Sequence, residues 1–320
     1  MKIELNEEII NEKLEELSNC TILYPDYLEA MRLISKCINT THNRKDPSSA
    51  MLIGPTGVGK TRLCQMIEKQ FIPPYTTRDS TCKKTISACV YFELPESATI
   101  KSLSMVMAQT LGGITNDHQS ITTLETLILQ RLTTMGVKLI ILDDFHHVAE
   151  KGQFKTKSSL CSWITKLLNK SGTPFLISGT SGAESTINTV QELSDRFPYR
   201  ARLKTLSMAG KKSSSILLGV LSALQKEMIR LGELDNYIHL TDPKHYMAIY
   251  LATSGNFRNL SNLLHDSFQI TLLRGDHTLK ISDFAEAADD LAFCCTPNYF
   301  RMTAAQLTSC LKENSKRSKK

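Results

Sequence analysis

The residues with the clearest chemistry form the octapeptide GPTGVGKT, Gly54 to Thr61, which fits the pattern G-x-x-x-x-G-K-[ST] in full. The apolar run AMLI precedes it, and apolar residues recur at helical spacing after it. A glycine-rich turn between a strand and a helix presents backbone N–H groups and partial positive charge to phosphates. The lysine of this pattern reaches the β- and γ-phosphates, and the final hydroxyl binds Mg²⁺. The predicted nucleotide site comprises Gly54, Pro55, Thr56, Gly57, Val58, Gly59, Lys60, Thr61 and Arg62, with Thr61 also a metal ligand.

Two carboxylates end a second apolar run, in which Leu139 to Leu142 is followed by Asp143 and Asp144. Ligands of open α/β folds bind beyond the carboxyl ends of the parallel strands, where these two side chains would lie. We expect Asp143 to hold Mg²⁺ through water and Asp144 to polarise the attacking water. The alternative is an aspartate that caps the following helix.

The segment PFLISGTSG predicts a further strand that ends in polar residues. Thr180, or alternatively Ser178, would lie between the two carboxylates and the γ-phosphate. A plain Ser/Gly turn is the simpler interpretation of the same residues.

Arginines supply four further candidates. Arg196, in LSDRF, could reach the nucleotide of a neighbouring subunit and stabilise charge on the γ-phosphate, or it could form a surface salt bridge. Arg200 and Arg202 are lesser candidates for the same role. Arg258, in GNFR at the start of a helix, could close on the γ-phosphate from a separate part of the chain.

Composition and charge favour a cytoplasmic protein, in the bacterial cytosol or nucleoid, with no membrane association. The first residues, MKIELNEEII, are acidic where a signal peptide would be apolar, and the nine cysteines fit a reducing compartment. The net charge is +6, with five basic residues between Lys312 and Lys320. A basic tail of this kind is usually a solvated chain end.

Alternating strand and helix patterns predict an α/β fold with a parallel β-sheet sandwiched by helices. Residues 73 to 85 read as a polar, turn-rich connection, followed by a strand from Ile86 to Phe92. From Ser213 to about Leu291 only helical periodicity is visible, which predicts a smaller all-helical domain. The predicted divisions are a helical lead-in (1–48), a nucleotide-binding domain (49–206), a helical lid (207–293) and a C-terminal segment (294–320).

The order of these motifs resembles that of the AAA+ ATPases, in which Walker A, Walker B, sensor 1, an arginine finger and a helical lid with sensor 2 follow one another. The segments DDFHH and LISGTSGAES look like those of TnsC and TniB, the ATPase regulators of Tn-seven-like transposition. The resemblance implies a slow, regulatory ATPase that uses ATP and Mg²⁺. It also implies a homo-oligomer, as a ring or helical filament, on double-stranded DNA, with a target-selection protein and a transposase as partners. Most relatives carry Glu at position 144, so the shorter Asp144 implies slow hydrolysis.

The DNA contacts are harder to predict, because lysines and hydroxyls that suit phosphates also occur on any solvated surface. Thr99 and Lys101 are the first candidates by resemblance, and Lys151 and Lys155 are further ones. His146 and His147 lack a third ligand for a metal, so we expect one of them to position the carboxylates instead. An AAA+ replication initiator or helicase loader and a P-loop small-molecule kinase are the alternative functions.

Overall fold

The computed structural model describes residues 2–44, 47–78, 83–95, 99–145, 154–208, 215–294 and 297–317. They belong to two compact units, which we call the sheet unit (Asp26–Leu203) and the helical unit (Met1–Pro25 with Lys204–Lys320). The first helix therefore groups with the C-terminal residues, which the sequence did not indicate. The four-part division remains a prediction.

The sheet unit is built on a five-stranded parallel sheet with the strand order β4-β5-β6-β1-β7, which confirms the predicted parallel sheet. The strands of this unit are β1 (Ala50–Ile53), β2 (Tyr75–Arg78), β3 (Lys83–Ile86), β4 (Cys89–Glu93), β5 (Leu139–Asp143), β6 (Phe175–Gly179) and β7 (Tyr199–Arg202). Every residue of β5 is buried, as expected for a strand covered on both faces. The carboxyl ends of β1, β5 and β6 carry the candidate site residues.

Helices cover both faces of this sheet. They are α2 (Pro25–Arg44), α3 (Lys60–Glu68), α4 (Ile100–Thr110), α5 (Ile121–Met135), α6 (Phe154–Ser171), α7 (Ser181–Asn188) and α8 (Gln191–Asp195). One face packs Phe92, Ile140 and Leu142 against apolar residues of α4, α5 and α6. Because side chains alternate along a strand, Ile141 and Asp143 point to the other face, where α3 contacts β4, β5 and β6.

Strands β2 and β3 correct one expectation, because they form an antiparallel hairpin in the segment predicted as a turn-rich connection. All four residues of β2 are exposed, so the hairpin lacks the apolar alternation that marks a half-buried strand. Tyr75, Thr76 and Thr77 nevertheless have high β-propensity. The next strand also begins later than predicted, at Cys89, because Ser87 bonds to the main chain of Met135 instead of a neighbouring strand.

The helical unit contains α1 (Lys2–Asn19), α9 (Ile216–Gly232), α10 (Pro243–Thr253), α11 (Phe257–Arg274), α12 (Ile281–Asp290) and α13 (Ala304–Arg317), with a 3₁₀ turn at Tyr299–Arg301. Helix α1 packs on α9 and α11, with Leu14 and Leu17 buried and Glu16 paired with Arg230 at 2.5 Å. Two short parallel strands, β8 (Asn236–Tyr237) and β9 (Thr278–Leu279), qualify the expectation of an all-helical domain. Two-residue strands are too short to show a period in sequence. In the described ranges, no helix is long and apolar enough to cross a membrane.

Candidate nucleotide site

The phosphate loop joins β1 to α3, where the motif predicted it. Gly57 and Gly59 have φ angles of 79° and 91°, in the left-handed region that favours glycine. A Cβ atom at Gly59 would lie 2.0 Å from the Tyr27 hydroxyl oxygen, so no other residue fits there. That hydroxyl donates a hydrogen bond to the Gly59 carbonyl at 2.8 Å. Tyr27, which is almost fully buried, therefore stabilises the backbone of the loop from α2.

The Lys60 side chain is folded into the loop. Its ammonium donates to the carbonyl oxygens of Gly54 and Pro55 at 2.9 Å each, and the residue is only 7% exposed. Both acceptors are backbone carbonyls, so these two bonds fix the position of the ammonium within the loop. A buried cation beside backbone N–H groups is the arrangement that binds phosphate.

The Asp143 carboxylate lies at the end of β5 and is fully buried. Its Oδ1 accepts a hydrogen bond from the Asp144 backbone N–H at 2.9 Å, and its Oδ2 accepts one from the Tyr91 hydroxyl at 2.8 Å. Burial, and then the negative charge of Asp143, raise the pKa of the Tyr91 hydroxyl far above its usual value, so Tyr91 stays a donor. Two fixed donors therefore hold this carboxylate.

Asp144 is half-buried and has a φ of 56°, so its backbone is left-handed. Asn and Asp are several-fold enriched in this conformation, because their short polar side chains bond locally. The backbone therefore gives a physical reason for Asp at this position, where the resemblance leads one to expect Glu.

We expect Asp144→Gln to be less stable than Asp144→Asn, although both variants lose the same charge. Only the asparagine suits the left-handed backbone, so the difference in the free energy of unfolding should be about 0.5–1 kcal/mol. That difference corresponds to a melting temperature lower by about 1–3 °C for the glutamine variant. Thermal unfolding of the nucleotide-free proteins measures it. Equal stability would mean that the conformation of residue 144 does not select the side chain.

Asp143 and Thr61 offer the kinds of oxygen ligand that suit Mg²⁺. Mg²⁺ is usually held by one or two carboxylates together with waters and substrate phosphates, instead of a cage of protein ligands. Asp143 supplies one buried carboxylate, and Thr61 is exposed in the first turn of α3. Within the described ranges, no group of three or more His, Cys, Asp or Glu side chains could hold a metal ion by itself.

Ser178 and Thr180, the two candidates for the sensor 1 residue between the carboxylates and the γ-phosphate, differ in their surroundings. Ser178 is fully buried, and its hydroxyl has no hydrogen-bond partner among the described residues. It lies near the Cys64 thiol, whose pKa is raised well above its usual value by burial and then by the charge of Asp143. Thr180 is half-exposed at the N-cap of α7, and in the described part of the chain its side chain makes no capping bond. A threonine at an N-cap normally caps, so the hydroxyl of Thr180 is the better placed for another ligand.

The three candidate arginines of the sheet unit also differ. Arg200 and Arg202 share the Glu184 carboxylate, at 3.1 Å and 2.8 Å. Burial would raise the pKa of Glu184, but the hydrogen bonds and charges of Arg202 and Arg200 outweigh burial and lower it. Arg196 is half-exposed at the C-terminal end of α8. Arg200 and Arg202 therefore have an ion-pair partner within their own chain, and the choice of the arginine that reaches a neighbouring subunit remains a prediction.

Arg258 lies on the helical unit, exposed in the first turn of α11, which Asn256 caps by accepting from two backbone N–H groups. The glycine of GNFR has a structural role. Gly255 has a φ of 68°, its carbonyl accepts from the Leu206 N–H at 2.7 Å, and a Cβ there would lie 2.2 Å from the Leu206 oxygen. The motif therefore begins with a glycine that packing requires.

The candidate DNA contacts are engaged within the chain where the structure describes them. The Thr99 hydroxyl caps α4 by accepting from the Ser102 N–H at 3.1 Å, and the Lys101 ammonium donates to the Gln119 carbonyl. Helix α6 includes Lys155, but its side chain is not among those described. Lys151, His146 and His147 lie outside the described residues.

Two tyrosines of the site were missed by the sequence analysis. Tyr27 precedes Gly59 by 32 residues, and Tyr91 precedes Asp143 by 52 residues. No local pattern marks either contact, because each depends on which elements become neighbours. The one indication in the sequence for Tyr91 is that it lies, at alternate spacing with Glu93, on the strand that precedes the strand ending in Asp143.

The comparisons with known proteins agree with this geometry. A family model described as bacterial TniB protein matches residues 17–207. No curated protein matches the chain. Among solved structures, the chain is similar to the ORC1 protein of Aeropyrum pernix in complex with DNA, with 14% identity, a TM-score of 0.59, and 85% of this chain and 66% of that chain covered.

Two further structures are comparably similar. The Aeropyrum pernix ORC2 protein shares 12% identity at a TM-score of 0.58, covering 86% of this chain and 70% of that one. Cdc6p from Pyrobaculum aerophilum shares 14% identity at a TM-score of 0.60, with the same coverages of 86% and 70%. The chain thus spans about two thirds of the first of these structures, with 66% covered. At such identities the likeness shows the fold, which is that of the AAA+ ATPases.

Proposed function

The chain belongs to the TniB family, and from that premise we propose that it is an ATP-dependent AAA+ regulator of DNA transposition. It would assemble on duplex DNA in the bacterial cytosol and couple a target-selection protein to the transposase. The observation that carries the proposal is the extent of the family match, residues 17–207. That range includes the phosphate loop, both carboxylates, Thr180 and Arg196.

The proposed ATP site uses residues of the sheet unit. The backbone N–H groups of the loop and the Lys60 ammonium would bind the phosphates, and Thr61 and Asp143 would hold the metal ion. Mg²⁺, when bound, neutralises charge on the β- and γ-phosphate oxygens. Asp144 would orient the attacking water, with Thr180 near the γ-phosphate. A carboxylate one methylene shorter than Glu reaches less far, so we propose slow, regulatory hydrolysis.

The proposed homo-oligomer, a ring or a helical filament, would complete this site. Arg196 would act on the nucleotide of a neighbouring subunit, because an arginine supplied from outside stabilises transition-state charge without being part of the nucleotide pocket. Arg258 would contribute from the helical unit. ATP binding would then control assembly.

The proposed DNA contact is to the backbone, through Thr99, Lys101, Lys151 and Lys155. Contacts of this kind give affinity without sequence readout, and their strength falls with salt. Lys101 donates to the Gln119 carbonyl in the present conformation. For Lys101 to contact DNA, its ammonium must therefore leave the Gln119 carbonyl and bind a DNA phosphate instead.

One alternative retains a specific observation in its favour. The ORC1 protein of similar fold was solved in complex with DNA, so a DNA-binding protein outside the TniB family shares the architecture that the alternative of a replication initiator would use. At 14% identity that likeness supports the fold alone, whereas the family match favours the transposition regulator. A small-molecule kinase would share the phosphate loop but has no comparable support.

The experiment is sedimentation and electron microscopy of the protein with Mg²⁺ and either ATP, a slowly hydrolysed analogue or ADP, with and without duplexes of unrelated sequence. We expect rings or filaments with the triphosphates, promoted by every duplex, and dissociation with ADP. Assembly on DNA should weaken as salt rises, because lysine–phosphate contacts release counterions.

Two outcomes would contradict the proposal. A protein that stays monomeric under all these conditions would contradict the proposal that it is an oligomeric regulator. Strong preference for a single DNA sequence would point to the replication initiator instead.

A further inference from the structure

Tyr91 contacts the metal-site carboxylate from a neighbouring strand. Strands β4 and β5 are parallel, with Tyr91 opposite Ile141 and Glu93 opposite Asp143. Residues 91, 141 and 143 therefore share one face of the sheet, the face that packs on α3. From this position the Tyr91 hydroxyl reaches diagonally along the sheet and donates to Asp143 Oδ2 at 2.8 Å.

This contact limits the freedom of the carboxylate. A carboxylate offers about four lone-pair positions. The Asp144 N–H uses one on Oδ1, and Tyr91 uses one on Oδ2. With one donor on each oxygen, rotation about the terminal bond of Asp143 would break at least one bond in a buried setting, where unmade hydrogen bonds cost most. Among the residues that the structure describes, one lone-pair position on each oxygen remains.

We propose that Tyr91 is a positioning residue for Mg²⁺, because it fixes the plane of the Asp143 carboxylate and thereby the direction in which the remaining lone pairs point. The inference rests on the proposed ATP and Mg²⁺ site. It assigns to Tyr91 no contact with nucleotide or with water. Its loss should therefore weaken only the Mg²⁺-dependent part of nucleotide binding.

The experiment compares wild type with Tyr91→Phe, which removes the hydroxyl and keeps the ring. Binding of a fluorescent ATP analogue is titrated at increasing Mg²⁺ and, separately, in excess chelator. We expect the Mg²⁺ concentration for half-maximal enhancement of binding to rise about fivefold, the equivalent of one hydrogen bond, with unchanged affinity in chelator.

Tyr199→Phe is the matched control. Tyr199 is also half-buried, on β7 of the same sheet, and its hydroxyl bonds to Thr40 Oγ1 at 2.9 Å, so the substitution removes an equivalent bond elsewhere. Its Mg²⁺ requirement should equal that of wild type. In a variant that already carries Asp143→Asn, adding Tyr91→Phe should raise the Mg²⁺ requirement little further, because Tyr91 acts through the Asp143 carboxylate.

Three results would overturn the inference. The Mg²⁺ requirement of Tyr91→Phe could equal that of wild type, its affinity could fall equally with and without Mg²⁺, or Tyr199→Phe could show the same shift. A wild-type protein that binds nucleotide without any Mg²⁺ dependence would instead overturn the proposed metal site, and this inference with it.

Discussion

Lys60→Ala should lower the affinity for ATP by about 100-fold, because the ammonium makes charge-assisted contacts with phosphates that no neutral group replaces. The buried position of Lys60 makes the loss larger than that of a surface lysine, since few ions from solvent can substitute for it. Calorimetric titration with ATP measures the affinity. ATP-dependent assembly on DNA should be lost at the same time.

The control for that substitution is Lys69→Ala. Lys69 is exposed at the other end of α3, so its substitution removes the same charge from the same helix and leaves the phosphate loop unchanged. ATP affinity of this variant should stay within about twofold of wild type. Equal affinities for Lys60→Ala and wild type would refute the assignment of Gly54 to Thr61 as the phosphate site.

Arg196→Ala should slow ATP hydrolysis by about 1,000-fold in the assembled protein and leave ATP affinity nearly unchanged, as expected for an arginine that acts on a transition state. Steady-state hydrolysis in the presence of DNA, with ATP binding measured in parallel, separates the two effects. Arg202→Ala is the control. Its guanidinium is paired with Glu184, so its removal should have a much smaller effect on the rate.

Mixing decides whether Arg196 acts across subunits. Arg196→Ala subunits retain the phosphate loop, and Lys60→Ala subunits retain the arginine, so a mixed assembly contains some complete sites. We expect partial recovery of hydrolysis that depends on the mixing ratio. No recovery, in subunits shown to assemble together, would place the action of Arg196 within its own subunit or rule it out.

The parts of the fold and site that were predictable from sequence are those with local causes. The phosphate loop follows from glycines, a lysine and a threonine within eight residues, and the parallel sheet follows from buried apolar runs such as LIILD alternating with helical patterns. The family resemblance was carried by DDFHH and LISGTSGAES, and the family match confirms it.

What was not predictable depends on register and packing between distant segments. The contact of Tyr91 with Asp143 exists only because β4 and β5 pair in one particular register. The hairpin of β2 and β3 carries no apolar face, so its pattern resembled a loop. Lys101 looked like a surface cation because its acceptor, the Gln119 carbonyl, is 18 residues away.

The hydrogen bond from Tyr27 to Gly59 gives the phosphate loop a mechanical link to the start of the sheet unit. Tyr27 is in the first turn of α2, two residues after Pro25. Because this bond joins α2 to the loop, a contact that displaces the first turn of α2 would also strain the backbone at Gly59, and the loop would then hold phosphate less well.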